Sequence, residues 1–582
     1  MEEILSFDPE VTEPSLPENF MPAALAALRA DGLAEDRMVL PLRSWIEGVK
    51  FDVARPEDIA DFTYWAKLGL LYDLPEFPFC LGPPIAAPKQ RDGRFLTFQA
   101  AEIAPIDNDK TAVVIIDHGI AFWNQRFRDL GTGACRFRAI QHLNFDKTDP
   151  TTFSIATLAQ PAIGAMCDLA DKPGGNGEVI AALAKQFPSS FFAQRPDPDD
   201  LWHGSAMADI AAGAGPDNPD HAILFGLELP AAALRDWGGD TLQAILPAAL
   251  SAALAMASLA KANRIVIVLA FGYPAGPHDV WQPTVAQPRA SHPISRAVED
   301  FMQNSRDNGH NVKLVLPAGN HLQDHCCAQL PAATAAMTTP EIIWRLAPDD
   351  FSPSTVEICL RTASTPRLRL TAPSGKTVYA NLPTATFTGL RLGGNLIAGL
   401  HRLPDRGGWI KLRLSIQPTA WTITGRTPAP FGDWRIGIEA PVPADLWILR
   451  DDRDRVQDRA KPHRPSVFFD PAYQIYDPVG AFVLDDKLAG PQRRAGTASV
   501  LTTAQDANLI CVQADERTGS GKIQQAEYSG APYATSRSMD TSVLVEDQFK
   551  VLQIEAIGNG GPRRFYVSGT SAATAAQAKV LR

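Results

Sequence analysis

The sequence predicts an α/β fold in which a doubly wound, mostly parallel sheet is interrupted by an inserted antiparallel β-sandwich. From about residue 106, buried-strand patterns alternate with helical patterns, which is typical of a parallel sheet with helices on both faces. From about 340 to 450 the pattern changes to short alternating strands separated by turn signals, which is typical of an antiparallel sandwich. After residue 496 the first pattern returns, so we expect the sandwich to be an insertion.

These changes divide the chain into an N-terminal extension, a sandwich and two parts of an α/β domain. The predicted segments are the extension (1–105), the first part of the α/β domain (106–325), the sandwich with its connecting segments (326–490) and the second part of the α/β domain (491–582). Helical patterns cover 20–33 and 56–71, and the Pro-rich run 75–88 is interpreted as a surface linker. The extension could be a docking, regulatory or pro-segment-like region.

Individual elements are predicted on both sides of the insertion. Residues 154–186, between two of the motifs described below, have a helical pattern and are expected to border a cleft. The segment 496–500 predicts a helix start. The predicted strands of the later part of the chain are 356–360, 367–370, 409–414, 434–438 and 509–514.

The composition is that of an ordinary soluble globular protein of several domains, with 582 residues, 45% of them hydrophobic and 20% charged. A formal net charge of −11 argues against general nucleic-acid binding. The N-terminus lacks the basic and apolar regions of a secretory signal, and the longest apolar stretch, 244–260, is short for a membrane span and reads as a buried helix. We therefore expect a cytoplasmic protein without a membrane partner, with export by another route left open.

Cysteine usage favours a reduced compartment. The seven cysteines are odd in number and form no Cys-x-x-Cys pair. Cys326 and Cys327 lie near His321 and His325, which could suggest a metal site, but we favour a loop that follows a strand. No metal and no cofactor are expected; a calcium ion in the acidic loop 195–200 is the alternative to a solvated loop.

Residues Thr111–Asp117 predict a buried parallel strand that ends in a carboxylate. Its apolar residues are mostly β-branched. Open α/β sheets place functional groups at the carboxyl ends of their strands, which is the position of Asp117. An Asp that starts a strand-to-loop turn is the ordinary alternative.

Residues 202–213 predict a helix that is entered through His203 and Gly204. The small residues that follow allow close packing against a sheet, and a His at the first turn is held rigidly and faces a cleft easily. A single structural His is the alternative.

The segment Gly569-Thr570-Ser571 ends an extended run and begins an alanine-rich helix. Backbone N–H groups and the positive end of the helix dipole surround a serine in this position, and they can hold a developing oxyanion. Taken alone, the segment is more often an ordinary N-cap serine.

Together the three segments give Asp117, His203 and Ser571 in chain order. Acyl transfer by a serine needs a nucleophile, a base that titrates near neutral pH and a carboxylate that orients the base. The order Asp–His–Ser is that of subtilisin and differs from the orders of chymotrypsin and the α/β-hydrolases. Ser571 also lacks the Gly-x-Ser-x-Gly elbow of the α/β-hydrolases.

The chain resembles the subtilisin-like serine proteases (subtilases). The segments that carry the resemblance are Ile116–Gly119, His203–Ala208, Gly569–Ala573, Val312–Asn320, which resembles the strand ending in the family's oxyanion-hole asparagine, and Arg264–Gly272, which resembles its cleft-lining strand. They cover roughly residues 106–325 and 491–582. The sandwich resembles the jelly-roll-like accessory modules of several subtilases.

The resemblance implies a serine endopeptidase that hydrolyses peptide bonds through an acyl-enzyme. It implies catalytic roles for Asp117, His203 and Ser571, and the oxyanion-hole role for the side-chain amide of Asn320. The residues expected to contact substrate are Ala270, Phe271, Gly272, Gly319 and Thr570. The implied partner is a protein or peptide substrate, with a regulatory partner on 1–105 or on the sandwich as an addition.

Two other functions stay open. A subtilase fold without activity could serve as a binding scaffold, with its contacts on the sandwich and the extension. A latent protease could be activated by a partner or by cleavage within 1–105.

Two positions depart from the family's pattern. Ala575 stands where the family usually has proline, which affects the helix start and not the chemistry. His118 stands where a small or hydroxyl-bearing residue is usual. It could crowd the triad or tune its pH profile, but we expect it to face solvent.

Overall fold

A computed structural model describes most of the chain after residue 103. Before that residue it describes three strands, β1 (Leu5–Asp8), β2 (Met38–Ser44) and β3 (Gly48–Ala54). The described residues from 103 onward are 103, 105–107, 110–145, 153–187, 192, 202–215, 220–229, 240–278, 280–281, 289–290, 292–333, 339–350, 354–362, 364–381, 387–392, 395–406, 409–420, 428–449, 464–470, 478, 493–494, 498–531, 539–547 and 554–582. The predictions for 20–33, 56–71, 75–88 and the loop 195–200 lie outside the described residues.

The first part of the α/β domain alternates strands and helices. Its elements are β4 (Thr111–Asp117), β5 (Phe137–Phe145), β6 (Phe153–Ala159), α1 (Gln160–Ala170), α2 (Gly175–Gln186), α3 (His203–Ala212), β7 (Ile223–Glu228), α4 (Asp240–Leu259), β8 (Arg264–Leu269), β9 (Val280–Trp281), β10 (Arg289–Ala290), α5 (Pro293–Asp307) and β11 (Val312–Pro317). A 3₁₀ turn, Gln125–Phe127, follows β4.

Antiparallel strands then follow one another as far as residue 494. They are β12 (Cys327–Leu330), β13 (Glu341–Leu346), β14 (Ser354–Leu360), β15 (Arg367–Thr371), β16 (Thr377–Asn381), β17 (Phe387–Leu392), β18 (Asn395–Arg406), β19 (Trp409–Ile416), β20 (Gly432–Glu439), β21 (Ala444–Ile448), β22 (Val467–Phe469) and β23 (Arg493–Arg494).

The chain then returns to the α/β domain. The elements of this second part are a 3₁₀ turn (Val500–Thr503), β24 (Leu509–Arg517), β25 (Ile523–Gln525), β26 (Thr541–Asp547), β27 (Ile554–Ile557), β28 (Arg564–Val567) and α6 (Thr570–Val580).

The central sheet has the strand order β25-β24-β11-β8-β4-β7-β5-β6, with β26 beside β24. Its inner pairs are parallel, and β25 and β6 add antiparallel pairings to β24 and β5. The fold is therefore an α/β fold with a mixed, mostly parallel sheet, as the alternating pattern predicts.

Both faces of this sheet are covered by helices. Along β4, Val114 and Ile116 pack into a core with α4 and α5, whereas Val113 and Ile115 pack into a second core with α3 and α6. Successive side chains of a strand point to opposite faces, so a wholly apolar strand is buried on both sides. The helix predicted at 244–260 is α4, and its residues Ala249, Leu250, Ala252 and Ala253 line the first core.

Two antiparallel sheets enclose a separate core. An eight-stranded sheet has the order β1-β17-β18-β19-β14-β21-β12-β23, and a five-stranded sheet has the order β16-β15-β20-β13-β22. Ile358 and Leu412 of the first sheet share one buried cluster with Trp344 and Trp434 of the second. The predicted strands at 356–360, 367–370, 409–414 and 434–438 fall within β14, β15, β19 and β20. The segment boundaries at 105, 325 and 490 stay predictions.

The sandwich contacts the α/β domain through Trp447 of β21. The ring of His278 stacks on Trp447, with centroids 5.7 Å apart. A Cβ at Gly276 would lie 2.3 Å from the same indole ring, so that position needs a residue without a side chain. No helix among the described residues has the length and apolar character that a membrane crossing needs.

Two local predictions need correction. Residues 154–159 belong to β6, which pairs antiparallel with β5, and helix begins only at Gln160. The pattern misleads here because a short apolar run fits a strand and a helix equally well. At 496–500 the helix start is shorter than expected: Ser499 caps a single 3₁₀ turn, Val500–Thr503.

Candidate functional site

The carboxylate of Asp117 meets the imidazole of His203 at the carboxyl end of the central sheet. Nδ1 of His203 lies 2.9 Å from Oδ1 and 2.8 Å from Oδ2 of Asp117. Asp117 is the last residue of β4 and His203 is the first residue of α3. The side chain of Asp117 is 4% exposed and that of His203 is 36% exposed. The buried carboxylate therefore orients a ring that reaches the surface.

The absence of a side chain at Gly204 allows α3 to approach the loop after β4. The backbone N–H of Gly204 donates to the carbonyl oxygen of His118 at 2.8 Å. A Cβ at position 204 would lie 2.6 Å from that oxygen and 3.0 Å from Cβ of Asp117. The His-Gly pair at the start of α3 is thus explained by this close approach.

Two further side chains, Ser205 and Glu228, fix the loop after β4. Ser205 Oγ donates to the carbonyl of Gly119 at 2.6 Å and accepts from the N–H of Ala121 at 2.8 Å. The carboxylate of Glu228, at the end of β7, accepts from the N–H groups of Gly119 at 2.6 Å and Ile120 at 3.1 Å. The sequence analysis missed Glu228. A carboxylate ending the strand that pairs with β4 is the signal that could have found it.

Ser571 lies in the first turn of α6, which packs against α3. Small side chains such as Ala208 and Ala572 fill the shared core, so the two helices approach closely. Ser571 is 9% exposed, and its Oγ donates to the carbonyl of Ala270 at 3.1 Å. Among the described residues, no hydrogen bond joins Ser571 to His203. The structure thus brings both predicted residues to one end of the sheet, with the hydroxyl turned towards Ala270.

Asn320 contacts Thr570, the first residue of α6, and its side-chain amide is held in one orientation. Its Oδ1 accepts from the backbone N–H and from Oγ1 of Thr570, both at 2.9 Å. A backbone N–H can only donate, so the atom that faces it must be the amide oxygen. The NH₂ group is consequently directed elsewhere, and Asn320 itself is exposed.

Position 569 also requires a glycine. It has φ +104°, and a Cβ there would lie 3.2 Å from Nδ2 of Asn320. Its N–H donates to the hydroxyl of Tyr528 at 2.8 Å, a contact that the sequence analysis did not anticipate. A left-handed backbone is a conformation that glycine adopts without steric cost.

The remaining predicted residues lie at the ends of two neighbouring strands. Ala270, Phe271 and Gly272 follow β8, and Gly319 follows β11. A Cβ at Gly272 would lie 3.0 Å from Cα of Gly319, so the two segments are nearly in backbone contact. Ser499, which the sequence analysis missed, packs against both segments: its N–H donates to Ala318 and its Oγ accepts from Tyr273.

His118 does not face solvent as expected. Its ring is parallel to that of His203, with centroids 5.5 Å apart and planes 7° from parallel. Its Nδ1 lies 3.1 Å from Oδ1 of Asp117, and its side chain is 21% exposed. The expectation treated the residue after a strand as a loop residue, whereas the ring stacks on His203, the first residue of α3.

The electrostatics of the site follow from burial and from these pairs. Burial alone would raise the pKa of Asp117, but the charges and hydrogen bonds of His203 and His118 outweigh it and lower that pKa. Burial alone would lower the pKa of His203, and Asp117 raises it instead. Burial raises the pKa of Glu228 to about 8, although the N–H groups of Gly119 and Ile120 oppose the shift.

Metal-ligating groups converge at one place among the described residues. Asp117, His118 and His203 each offer a ligand atom within 4.8 Å of the others. The segment with Cys326 and Cys327 forms no such group there: Nδ1 of His321 lies 2.6 Å from Oδ2 of Asp324, and Cys327 begins β12.

Comparison with solved structures finds a similar fold in the CspB protease of Clostridium perfringens. The two share a TM-score of 0.54 and 14% sequence identity over 81% of each chain. The chain therefore has the α/β fold of a clostridial protease. A GH32 beta-fructofuranosidase of Bombyx mori also matches, with 11% identity over 23% of this chain and 28% of that one. Its TM-score of 0.10 does not indicate a shared fold. No protein-family model and no curated protein matches the chain.

Proposed function

We propose that this protein is a subtilisin-like serine endopeptidase with Asp117, His203 and Ser571 as its triad. The observation that carries the proposal is the pairing of a buried strand-end carboxylate with Nδ1 of a helix-start imidazole, at 2.8 Å. A serine in the first turn of the adjoining helix completes the set of groups that acyl transfer requires. The shared fold with a clostridial protease supports the same conclusion.

In this mechanism Ser571 Oγ attacks a peptide carbonyl, and Nε2 of His203 takes its proton. Asp117 accepts from Nδ1–H of His203, which leaves the Nε2 lone pair free to act as a base and stabilises the imidazolium that forms. His203 then donates the proton to the leaving amine. In the second half of the reaction His203 activates water, which hydrolyses the acyl-enzyme.

The developing oxyanion would be held by the backbone N–H of Ser571 and by Nδ2 of Asn320. The two hydrogen bonds from Thr570 engage Oδ1 of Asn320 and so leave its NH₂ group as the donor. A donor fixed before the reaction costs no reorganisation when charge develops on the substrate oxygen.

The substrate would be an extended protein or peptide segment lying between the strand ends. Ala270, Phe271 and Gly272 would contact one side of it, and Gly319 and Thr570 the other. The close approach of Gly272 and Gly319 favours backbone contacts over deep side-chain pockets. The same proposal includes a regulatory partner on the extension or the sandwich. It also includes a cytoplasmic location and no required cofactor.

A specific observation favours the latent-protease alternative. Ser571 Oγ donates to Ala270, so its side chain must rotate before His203 can take its proton. The extension also engages the sandwich directly, because β1 pairs with β17 from Leu5↔Leu392 to Asp8↔Gly389. In this alternative, cleavage within 1–105 releases that strand and activates the enzyme.

Labelling with a fluorophosphonate probe tests the proposal. The full chain should react and should cleave casein, and Ser571→Ala should lose both, with kcat lower by about 10⁶. Ser258→Ala on α4, whose hydroxyl donates to Leu254 within the same helix, is the matched control and should retain both. Full activity in Ser571→Ala would remove the assignment. If limited proteolysis within 1–105 increases the labelling rate, the protease is latent.

A further inference from the structure

His118 adds a second imidazole to the carboxylate of the proposed triad. A serine-protease triad needs one imidazole on its carboxylate. Here Nδ1 atoms of two parallel rings, His118 and His203, both lie within 3.1 Å of Asp117 Oδ1. Two imidazole nitrogens and one carboxylate oxygen thus lie close enough together to bind one metal ion. Both imidazole rings are partly exposed to solvent.

We infer that Asp117, His118 and His203 form a Zn²⁺ site, and that bound zinc switches the active site off. The inhibition by zinc rests on the proposed function, whereas the zinc site itself does not. It departs from the sequence-based expectation that no metal binds.

The geometry suits a tetrahedral ion. Zn²⁺ binds imidazole nitrogen and carboxylate oxygen at about 2.0–2.2 Å, so two ligands of a tetrahedral site lie about 3.3 Å apart. The separations from Asp117 Oδ1 are 2.9 Å to His203 Nδ1 and 3.1 Å to His118 Nδ1, and the three ligand atoms all lie within 4.8 Å. Small movements of the two imidazole rings would therefore accommodate the ion, and water would complete the coordination.

The chemistry of the donor set also suits zinc. Two neutral imidazoles and one carboxylate prefer Zn²⁺ and similar transition ions over Mg²⁺ or Ca²⁺, which prefer oxygen ligands. Zinc bound at the two Nδ1 atoms would leave the proton of each neutral ring on Nε2. The other nearby carboxylate, Glu228, is occupied by the N–H groups of Gly119 and Ile120.

Inhibition follows from the tautomer of His203. When a metal ion occupies Nδ1 of a neutral imidazole, the ring proton resides on Nε2. Nε2 is the atom that must accept the proton of Ser571, so a zinc-bound His203 cannot act as the base. The effect is reversible, because removal of the metal restores the Nδ1–H bond to Asp117.

Zinc binding is measured on the full chain carrying Ser571→Ala, which keeps all three ligands. After chelator treatment, titration against a chromophoric zinc chelator should show one site that His118→Asn weakens at least tenfold. His118→Cys should restore binding, and His310→Ser, remote in sequence from the three ligands, should not alter it. Equal affinity in the parent and in His118→Asn overturns the site.

A second measurement needs no substitution at position 118. In protein labelled with ¹⁵N-histidine, one equivalent of zinc should shift the Nδ1 resonances of two histidines and leave their Nε2 atoms protonated. Shifts confined to other histidines overturn the site.

Activity then tests the consequence separately. Zinc at saturation should reduce the rate of fluorophosphonate labelling of the unsubstituted chain at least tenfold, and chelator should restore it. In His118→Asn the ratio of the rates with and without zinc should be close to one. A chain that labels equally fast with zinc bound overturns the inference, whereas a chain that binds zinc but never reacts with the probe overturns the proposed function and leaves the site.

Discussion

Thr570 holds the side-chain amide of Asn320 by donating two hydrogen bonds to one oxygen, each 2.9 Å long. Its hydroxyl also accepts from the N–H of Gly319 at 3.1 Å. One side chain thus connects the end of β11 to the start of α6.

The first prediction concerns this connection. Thr570→Val removes the hydroxyl but not the backbone N–H, so Asn320 keeps one of its two bonds. We expect kcat on a peptide substrate to fall about five- to tenfold, the scale of one hydrogen bond, with KM little changed. Thr570→Ser retains the hydroxyl and should stay near the parent; equal losses in both variants would contradict the role.

Gly204 tests the close approach of α3 to the loop after β4. In Gly204→Ala the new Cβ would lie 2.6 Å from the carbonyl oxygen of His118, so the helix must shift. We expect a loss of about 1–3 kcal/mol in the free energy of unfolding and a lower labelling rate of Ser571. Gly164→Ala, inside α1 with no atom within 4 Å of the new Cβ, should instead be neutral or stabilising. Similar thermal shifts in the two variants would contradict the steric argument.

Glu228→Gln tests the carboxylate that fixes the same loop. Each oxygen of Glu228 accepts a different N–H, so an amide can satisfy only one and directs an NH₂ group at the other. We expect a cost of about 1–3 kcal/mol in chemical denaturation. Asp129 is the control: its Oδ1 accepts from the N–H groups of both Gly131 and Thr132, so Asp129→Asn keeps both bonds and should cost less.

The sandwich should lose stability in acid because of Glu357. This buried side chain pairs with Lys411 at 2.7 Å and with Arg413 at 2.7 Å. Burial alone would raise the pKa of Glu357, but the two cations lower it from 4.5 to about 2. As the pH falls, Glu357 therefore binds a proton in the unfolded chain before it does so in the folded chain. Its contribution to the free energy of unfolding is complete above pH 4.5 and is lost as the pH falls towards 2.

The size of that effect can be measured. A difference of this size between the folded and unfolded pKa corresponds to about 3 kcal/mol. Denaturant unfolding of the parent between pH 7 and pH 2 should show the loss, and Glu357→Gln should show a correspondingly shallower pH dependence. A variant with the same pH slope as the parent would contradict the assignment.

The sequence by itself determined the secondary structure wherever residue type and periodicity favoured the same element. The apolar, mostly β-branched residues of β4 favour a strand buried on both faces, and the alternating residues of β19 and β20 fit a sandwich. The motifs around Asp117, His203 and Ser571 could be found because small residues are needed wherever a helix approaches a strand end closely. Residues 154–159 were assigned wrongly because a short apolar run fits two structures.

Only the tertiary structure decided what surrounds those motifs. Glu228 and Ser499 act on segments more than a hundred residues away, and no local pattern marks such contacts. The same holds for His118, whose stacking on His203 depends on how β4 and α3 meet. The sequence specifies which residues stand at the end of a strand, whereas the direction of their side chains depends on the elements packed around them.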